Sequence, residues 1–517
     1  MDETSLSKMQ VHDQLSNFTA ISKFRLINRL ALIQCPDPNP YLSINISSSP
    51  SLSNEENVTV TVGGVLKPEK GDWVAMISPS HSNVDYCPGS SILYKQTGDF
   101  ADLPLLCHYP VKAQFLSSDP AYLGCQKKEC KKHNGKGDCL ITTCSASLNF
   151  HVINIRTDIG FVFFGGGFDL PCIYTKTSTL NFSNPKTPLY GHISSIDSTA
   201  TSMKLTWVSG DNGTQEVQYG DSRSQTSEVT TFTQDDMCKW DYFLHLITPV
   251  ASHVSYMTAI GNHEDSGSVY ATPDSGGECG VAYETYFPMP TSAKDNPWYS
   301  IEQASVHFTI ISTEHDWSES SEQYGWMKKD LESVNRSATP WVIFMGPMYS
   351  STGGILPNVD KEFVAAVEPL LINNKVDLAL WGHVHNYERT CAVYQNECKA
   401  LPTKDANGID TYNNSNYSAP VHAVIGMAGF KLDPSPKSAD AWSLIRISEY
   451  GYARVQATRE DINTIWTVRN SFSRFPRSLL ASSSISQRNL SFASLRHGIR
   501  AMKAHAVIVP RSPPEYL

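Results

Sequence analysis

The sequence predicts an all-β N-terminal region of sandwich type followed by a layered α/β domain. Three observations carry this expectation. Apolar residues alternate with period two through much of residues 41 to 180, and turn glycines break the runs. From Trp240 onward, short apolar runs alternate with helical stretches. Two of those later runs end in a glycine followed at once by polar, ligand-type side chains.

The chain has 517 residues, more than one domain's worth. It is 40% hydrophobic and 18% charged, which is globular and excludes fibrous or disordered classes for the bulk of it. The net charge of −10 argues against a nucleic-acid partner, because binding a phosphate backbone needs a basic face. No apolar run approaches the roughly 18 residues of a membrane span, so no membrane partner is expected.

Residues 1–40 carry no clear periodicity and stay unassigned. Residues 41–184 read as a β-sandwich domain. Asn57 to Val65 alternates, Trp73 to Ile77 is a short apolar run, and Leu148 to Ile155 alternates again. Phe161 to Phe164 is a strand closed by the turn Gly165-Gly166-Gly167. Residues 185–238, with strands at Met203 to Val208 and Glu216 to Tyr219, look like part of a fibronectin-type sandwich.

Residues 239–457 form the α/β part. Its strand candidates are Val254 to Ile260, Val306 to Ile311, Trp341 to Met345, Val376 to Trp381 and Val421 to Ile425. Helices are expected over Ser321 to Val334 and Lys361 to Asn373. Residues 458–517 turn rich in Ser and Arg and read as a solvated tail.

Cysteine use points to an oxidising compartment, with a concentration between Cys87 and Cys172. Cys125, Cys130, Cys139 and Cys144 share a Lys- and Gly-rich loop without a C-x2-C pair, which favours local disulfides over a zinc site. Glycosylation acceptors occur at Asn17, Asn45, Asn57, Asn181, Asn212, Asn335, Asn413, Asn416 and Asn489. Against export, the apolar stretch Phe24 to Ile33 is interrupted by Arg25, Asn28 and Arg29, so the first residues show no clean signal peptide.

The chemistry sits in two motifs. Gly261-Asn262-His263-Glu264 follows the run ending at Ile260, and Gly382-His383-Val384-His385 follows the run ending at Trp381. Strand-terminal loops are where α/β domains place their sites. His383 and His385 are two apart, so in an extended segment both imidazoles would face the same way and offer nitrogens to a borderline metal. Asn262 adds a carbonyl oxygen.

These motifs, with GHVHNYERT (Gly382 to Thr390), DSGGECGV (Asp274 to Val281), WYSIE (Trp298 to Glu302), STEHDW (Ser312 to Trp317) and SEQYGWMKKDL (Ser321 to Leu331), closely resemble plant purple acid phosphatases. The resemblance runs from about Gly71 to Ala457. It implies a metallophosphoesterase-type α/β/β/α catalytic domain, preceded by β-sandwich domains, that hydrolyses phosphate monoesters. It also implies Fe(III) paired with Zn(II), Mn(II) or Fe(II), a secreted protein, and a homodimer. Residue by residue, Asn262, His383 and His385 match metal ligands, and His263 matches the histidine that contacts substrate phosphate. The family pattern also keeps Cys391 and Cys398, which implies a disulfide between them.

The departures from the family pattern are as informative. The GDxG and GDxxY motifs, which carry both carboxylate ligands and the tyrosinate, should precede GNHE. Here TFTQDDMC (Thr231 to Cys238) runs straight into KWDYFLH (Lys239 to His245), so a block of roughly a hundred residues has no counterpart. The ligand histidine of a GHRPMY-type sequence is also absent, since Gly346 is followed directly by Pro347. Gly98-Asp99-Phe100-Ala101-Asp102 spells a similar motif but reads as a surface turn. Asp235, Asp236 and Asp241 flank the junction and are the acids nearest to hand as substitutes. The expectation is a metallophosphoesterase by ancestry with little or no activity, the alternative being a silent glycoprotein that binds phosphate or a protein.

Overall fold

The computed structural model describes residues 33–34, 39–47, 51–81, 111–167, 172–219, 223–229, 237–262, 264, 280–293, 295–352, 361–428, 432–436, 439–468, 482–486 and 504–508. The chain divides into two compact units. The first comprises residues 1–191, 207–249 and 514–517; the second comprises 192–206 and 250–513.

The first unit contains a five-stranded and a four-stranded β-sheet. One orders its strands Ile33–Gln34, Cys172–Lys176, Gly160–Gly165, Trp73–Ile77, Lys112–Phe115. The other orders them Ser43–Ile46, Glu55–Val65, Cys139–Ile153, Lys128–His133. The alternation seen in the sequence is the alternation of burial: Val58, Val60 and Val62 are buried, while Asn57 faces solvent. Trp73 stacks on Phe164 with ring centroids 4.1 Å apart. Gly166 and Gly167 adopt φ of 80° and 69°, the left-handed turn that glycine alone enters without cost. Disulfides Cys125–Cys144 and Cys130–Cys139 pin the loop and hairpin rich in Lys and Gly.

Helix Met237–Ala251 also belongs to this unit as far as Pro249. Asp241, buried, faces the Arg156 guanidinium there: Nη2 donates to Oδ2 at 2.9 Å, and Nη1 lies 2.9 Å from Oδ1 as an ion-pair contact. Glu216–Tyr219 forms a hairpin with Arg223–Thr226.

The second unit is layered. Its main sheet orders Tyr299–Gln303, Val306–Ile310, Trp341–Met345, Leu378–Trp381, Val421–Ile425, Tyr387–Tyr394, Glu397–Ala400, with Ser443–Ile447 also paired to Tyr387–Tyr394. The pairs from Val306–Ile310 to Val421–Ile425 are parallel. Central parallel strands are covered on both faces, which is why WVIFM and LALW read as continuous apolar runs. Trp341 and Ile343 point into one core with Ala453, Val455 and Ile462 of a second sheet. Val342 and Phe344 point into the other, with Met327 and Leu331 of helix Glu322–Ser333 and with Phe363, Val367 and Leu371 of helix Lys361–Asn373. Ser321 caps the first of these helices by accepting from the Tyr324 amide at 3.1 Å.

Two expectations need correction here. Val254 to Ile260 is not a strand; its backbone bonds are scattered, Val254 N–H to the Val250 carbonyl at 3.1 Å and Tyr256 N–H to the Ile193 carbonyl at 2.9 Å. A strand requires a neighbouring ladder, and side-chain hydroxyls take its place: Tyr299 and Tyr283 donate to the Thr258 carbonyl at 2.8 and 2.9 Å. The tail boundary at 458 is also wrong. Asp461–Val468 pairs antiparallel with Gly451–Ala457 across the turn 458–461, and Ile462 is buried in the sheet-on-sheet core. The alternating text DINTIWTV carried that signal, masked by the Ser- and Arg-rich composition of the residues after it.

Candidate metallophosphoesterase site

The loop after strand Leu378–Trp381 carries the two histidines. Successive tight turns shape it: Val384 N–H bonds the Gly382 carbonyl at 2.8 Å, and Asn386 N–H bonds the Val384 carbonyl at 2.9 Å. The residue in left-handed conformation is His383, with φ of 67°, and not the glycine before it. Such strain in a non-glycine residue is held only where surroundings over-determine it, and it concentrates at functional loops. The segment is therefore bent, and the reasoning that put both imidazoles on one face of an extended strand does not apply. His383 is exposed and His385 half-buried.

The rest of the motif is scaffolding. His385 N–H donates to Asp433 Oδ2 at 2.9 Å, and Asp433 N–H returns a bond to the His385 carbonyl at 3.0 Å. Gly426 packs beneath the loop, where a Cβ would sit 1.7 Å from the Val384 carbonyl oxygen. Buried Asn386 donates to Thr352 Oγ1 at 2.7 Å. Buried Glu388 accepts from Ser351 N–H at 2.9 Å, Ser350 Oγ at 3.2 Å and Ser443 Oγ at 2.5 Å. Arg389 pairs with Asp410. Asn386, Glu388 and Arg389 thus anchor the loop that presents the histidines.

The loop after Trp341–Met345, where the family's remaining histidine would stand, runs Gly346-Pro347-Met348-Tyr349 and sinks Met348 and Tyr349 into the helix-side core. Tyr349 lies edge-on to His422, ring centroids 4.9 Å apart. Burial pushes the His422 imidazole down to about 3, so it stays neutral.

Asn262 occupies the turn after Ile260, half-buried. The turn is closed by Glu264, a buried carboxylate: Gly261 N–H donates to its Oε2 at 2.9 Å, and Glu264 N–H reaches the Gly261 carbonyl at 3.1 Å. Sequence reasoning named neither Glu264 nor Asp433 as a loop anchor; nothing in residue type alone separates such an anchor from a ligand. His263, Asp235, Asp236 and the Asp99–Asp102 turn lie outside the described residues. Asp241 is not a substitute ligand, because its carboxylate is committed to Arg156 within the first unit. The Cys391–Cys398 disulfide is present. Among the described residues, no group of three or more His, Cys, Asp or Glu in the second unit brings ligand atoms within metal-sharing distance.

The layered sheet with histidines on a strand-terminal loop defines a metallophosphoesterase-type domain. A model of an Fn3-like domain from purple acid phosphatase matches residues 44–184, a calcineurin-like phosphoesterase model matches 206–387, and an iron/zinc purple acid phosphatase-like C-terminal model matches 419–469. The fibronectin-like match thus falls on the sandwich, and the phosphoesterase match begins inside the span expected to hold a partial fibronectin-type domain. "Probable inactive purple acid phosphatase 27" of Arabidopsis thaliana is 26% identical over 76% of this chain and 81% of its own length. "Probable inactive purple acid phosphatase 1" of the same plant is 27% identical over the same shares. The first alignment spans 530 positions, more than this whole chain, although only 76% of the chain takes part, so the relative carries residues with no counterpart here. A purple acid phosphatase from yellow lupin seeds (Lupinus luteus) shares the fold, with a TM-score of 0.70, 23% identity, and cover of 87% of this chain and 96% of its own.

The chain belongs to the purple acid phosphatase family of metallophosphoesterases. The chemistry of that family is phosphate-ester hydrolysis at a dimetal centre. The donor set present does not fit such a centre. Asn262, His383 and His385, the donors the motifs offer, are an amide and two imidazoles with no carboxylate, and two cations about 3.5–4 Å apart need anionic ligands to offset their repulsion.

Proposed function

We propose that this chain is a secreted glycoprotein of the phosphatase family whose hydrolysis of phosphate monoesters is impaired. The observation that carries this reading is the donor set: an amide and two imidazoles on two loops, and no carboxylate cluster beside them among the described residues. The names of its relatives, "probable inactive" purple acid phosphatases, point the same way. Iron with zinc, manganese or a second iron would be the metals to try, with Asn262, His383 and His385 as donors and His263 beside the phosphate. No hydrolytic step is assigned to them.

Glycosylation rests on exposure: Asn45, Asn57, Asn181, Asn212, Asn335, Asn413 and Asn416 all face solvent, while Asn17 and Asn489 lie outside the described residues. No helix among the described residues is long and apolar enough to cross a membrane.

The test is to load the full chain with iron and zinc and assay p-nitrophenyl phosphate at mildly acidic pH. Turnover should be at least about 100-fold below an active relative, since disturbing even groups that merely support ligands costs 10–100-fold. Turnover matching an active relative, and abolished by His383→Ala, would sink the reading.

A further inference from the structure

Away from the loop histidines, three elements of the first unit bring titratable side chains together. Glu55 opens strand Glu55–Val65, and His151 lies near the end of strand Cys139–Ile153. The register pairs Glu55 with Ile153 and Asn57 with His151, so Glu55 and His151 are diagonal neighbours on one sheet face. Helix Met237–Ala251 adds His245. His151 Nε2 is 2.7 Å from Glu55 Oε1, and His245 Nε2 is 3.4 Å from the same oxygen. All three ligand atoms lie within 4.8 Å of one another.

We propose that Glu55, His151 and His245 form a divalent-metal site of the zinc class, which ties the helix to the β-sheet. Two imidazole Nε2 atoms and one carboxylate are a donor set zinc takes readily, leaving a coordination position for water. Tetrahedral ligands around zinc stand about 3.4 Å apart, so shifts of an ångström or less in these side chains would close the set. Glu55 is exposed, which keeps the fourth position open to solvent.

The surroundings fix the donors. His245 sits edge-on to Tyr190, ring centroids 5.8 Å apart. The His151 backbone carbonyl accepts from Lys112 Nζ at 2.7 Å and from the Tyr242 hydroxyl at 3.1 Å. Hydrogen bonding from His151 holds the Glu55 carboxyl below its usual range, so it is anionic. Burial lowers His245, favouring the neutral imidazole that binds metal.

The test uses the full chain carrying His383→Ala and His385→Ala, which silences the loop donors. After chelator stripping, zinc is titrated against a chromophoric chelator, and cobalt(II) uptake is followed by its visible ligand-field bands. The expected result is one equivalent bound, with affinity falling more than about 100-fold on adding Glu55→Gln or His245→Ala, since losing a ligand exceeds losing its support. Glu55→Gln keeps the side-chain shape at an exposed position, so the fold persists, and circular dichroism checks it in both variants. Zinc should also raise the thermal midpoint of the parent and not of the variants. No uptake by the parent, or affinity within about threefold of it in both variants, would show a histidine–glutamate ion pair and nothing more.

Discussion

Replacing Asp241 by Ala probes the ion pair that docks helix Met237–Ala251 within the first unit. Asp241 is 1% exposed and Arg156 is 8% exposed in its side chain, so neither charge has water to fall back on. Removing one member of a buried pair leaves an uncompensated charge and costs about 3–5 kcal/mol. For a unit of this size that is a fall of about 6–20 °C in midpoint. Removing both, as Arg156→Met with Asp241→Leu, should recover most of the loss, because apolar residues of similar volume often do as well as the pair. The double-mutant cycle, read by denaturant unfolding of the tryptophan-rich chain, should therefore give a coupling of several kcal/mol.

The pH dependence adds a second readout. Burial, partly offset by Arg156, raises the Asp241 carboxyl from 3.8 to about 6. Between those values the folded state holds more protons than the unfolded one. The stability this group contributes is present below the unfolded value and is lost as pH rises through about 6. Asp241→Asn should remove that slope. A single mutant costing under about 1 kcal/mol, or a double mutant no better than the single, would refute the argument.

Two further outcomes test other parts of the structure. Converting Cys391 and Cys398 to Ser opens a short loop and should cost about 2–3 kcal/mol, measured by chemical denaturation in oxidising against reducing buffer. Ile462→Ala should cost about 2–5 kcal/mol and destabilise the second unit, since this side chain is 1% exposed between the two sheets; an effect near zero would return the residue to the tail.

Much of the architecture was legible in one dimension. Strands Trp73–Ile77, Trp341–Met345 and Val421–Ile425, and helix Lys361–Asn373, stand where their apolar periodicity put them, because burial of a face is what that periodicity encodes. The family was legible too, since GNHE and GHVHNYERT each join a glycine to ligand-type side chains at fixed spacing. What the sequence could not determine was partnership. Val254 to Ile260 has a strand's composition and no ladder to join. Asp241 looked like a spare ligand until folding placed Arg156, 85 residues distant in sequence, against it. His383 and His385 kept their spacing, but the left-handed turn at His383 broke the extended geometry that spacing assumes. Glu55, His151 and His245 carry no motif at all, because their proximity comes from strand register and helix docking, which only the tertiary structure decides.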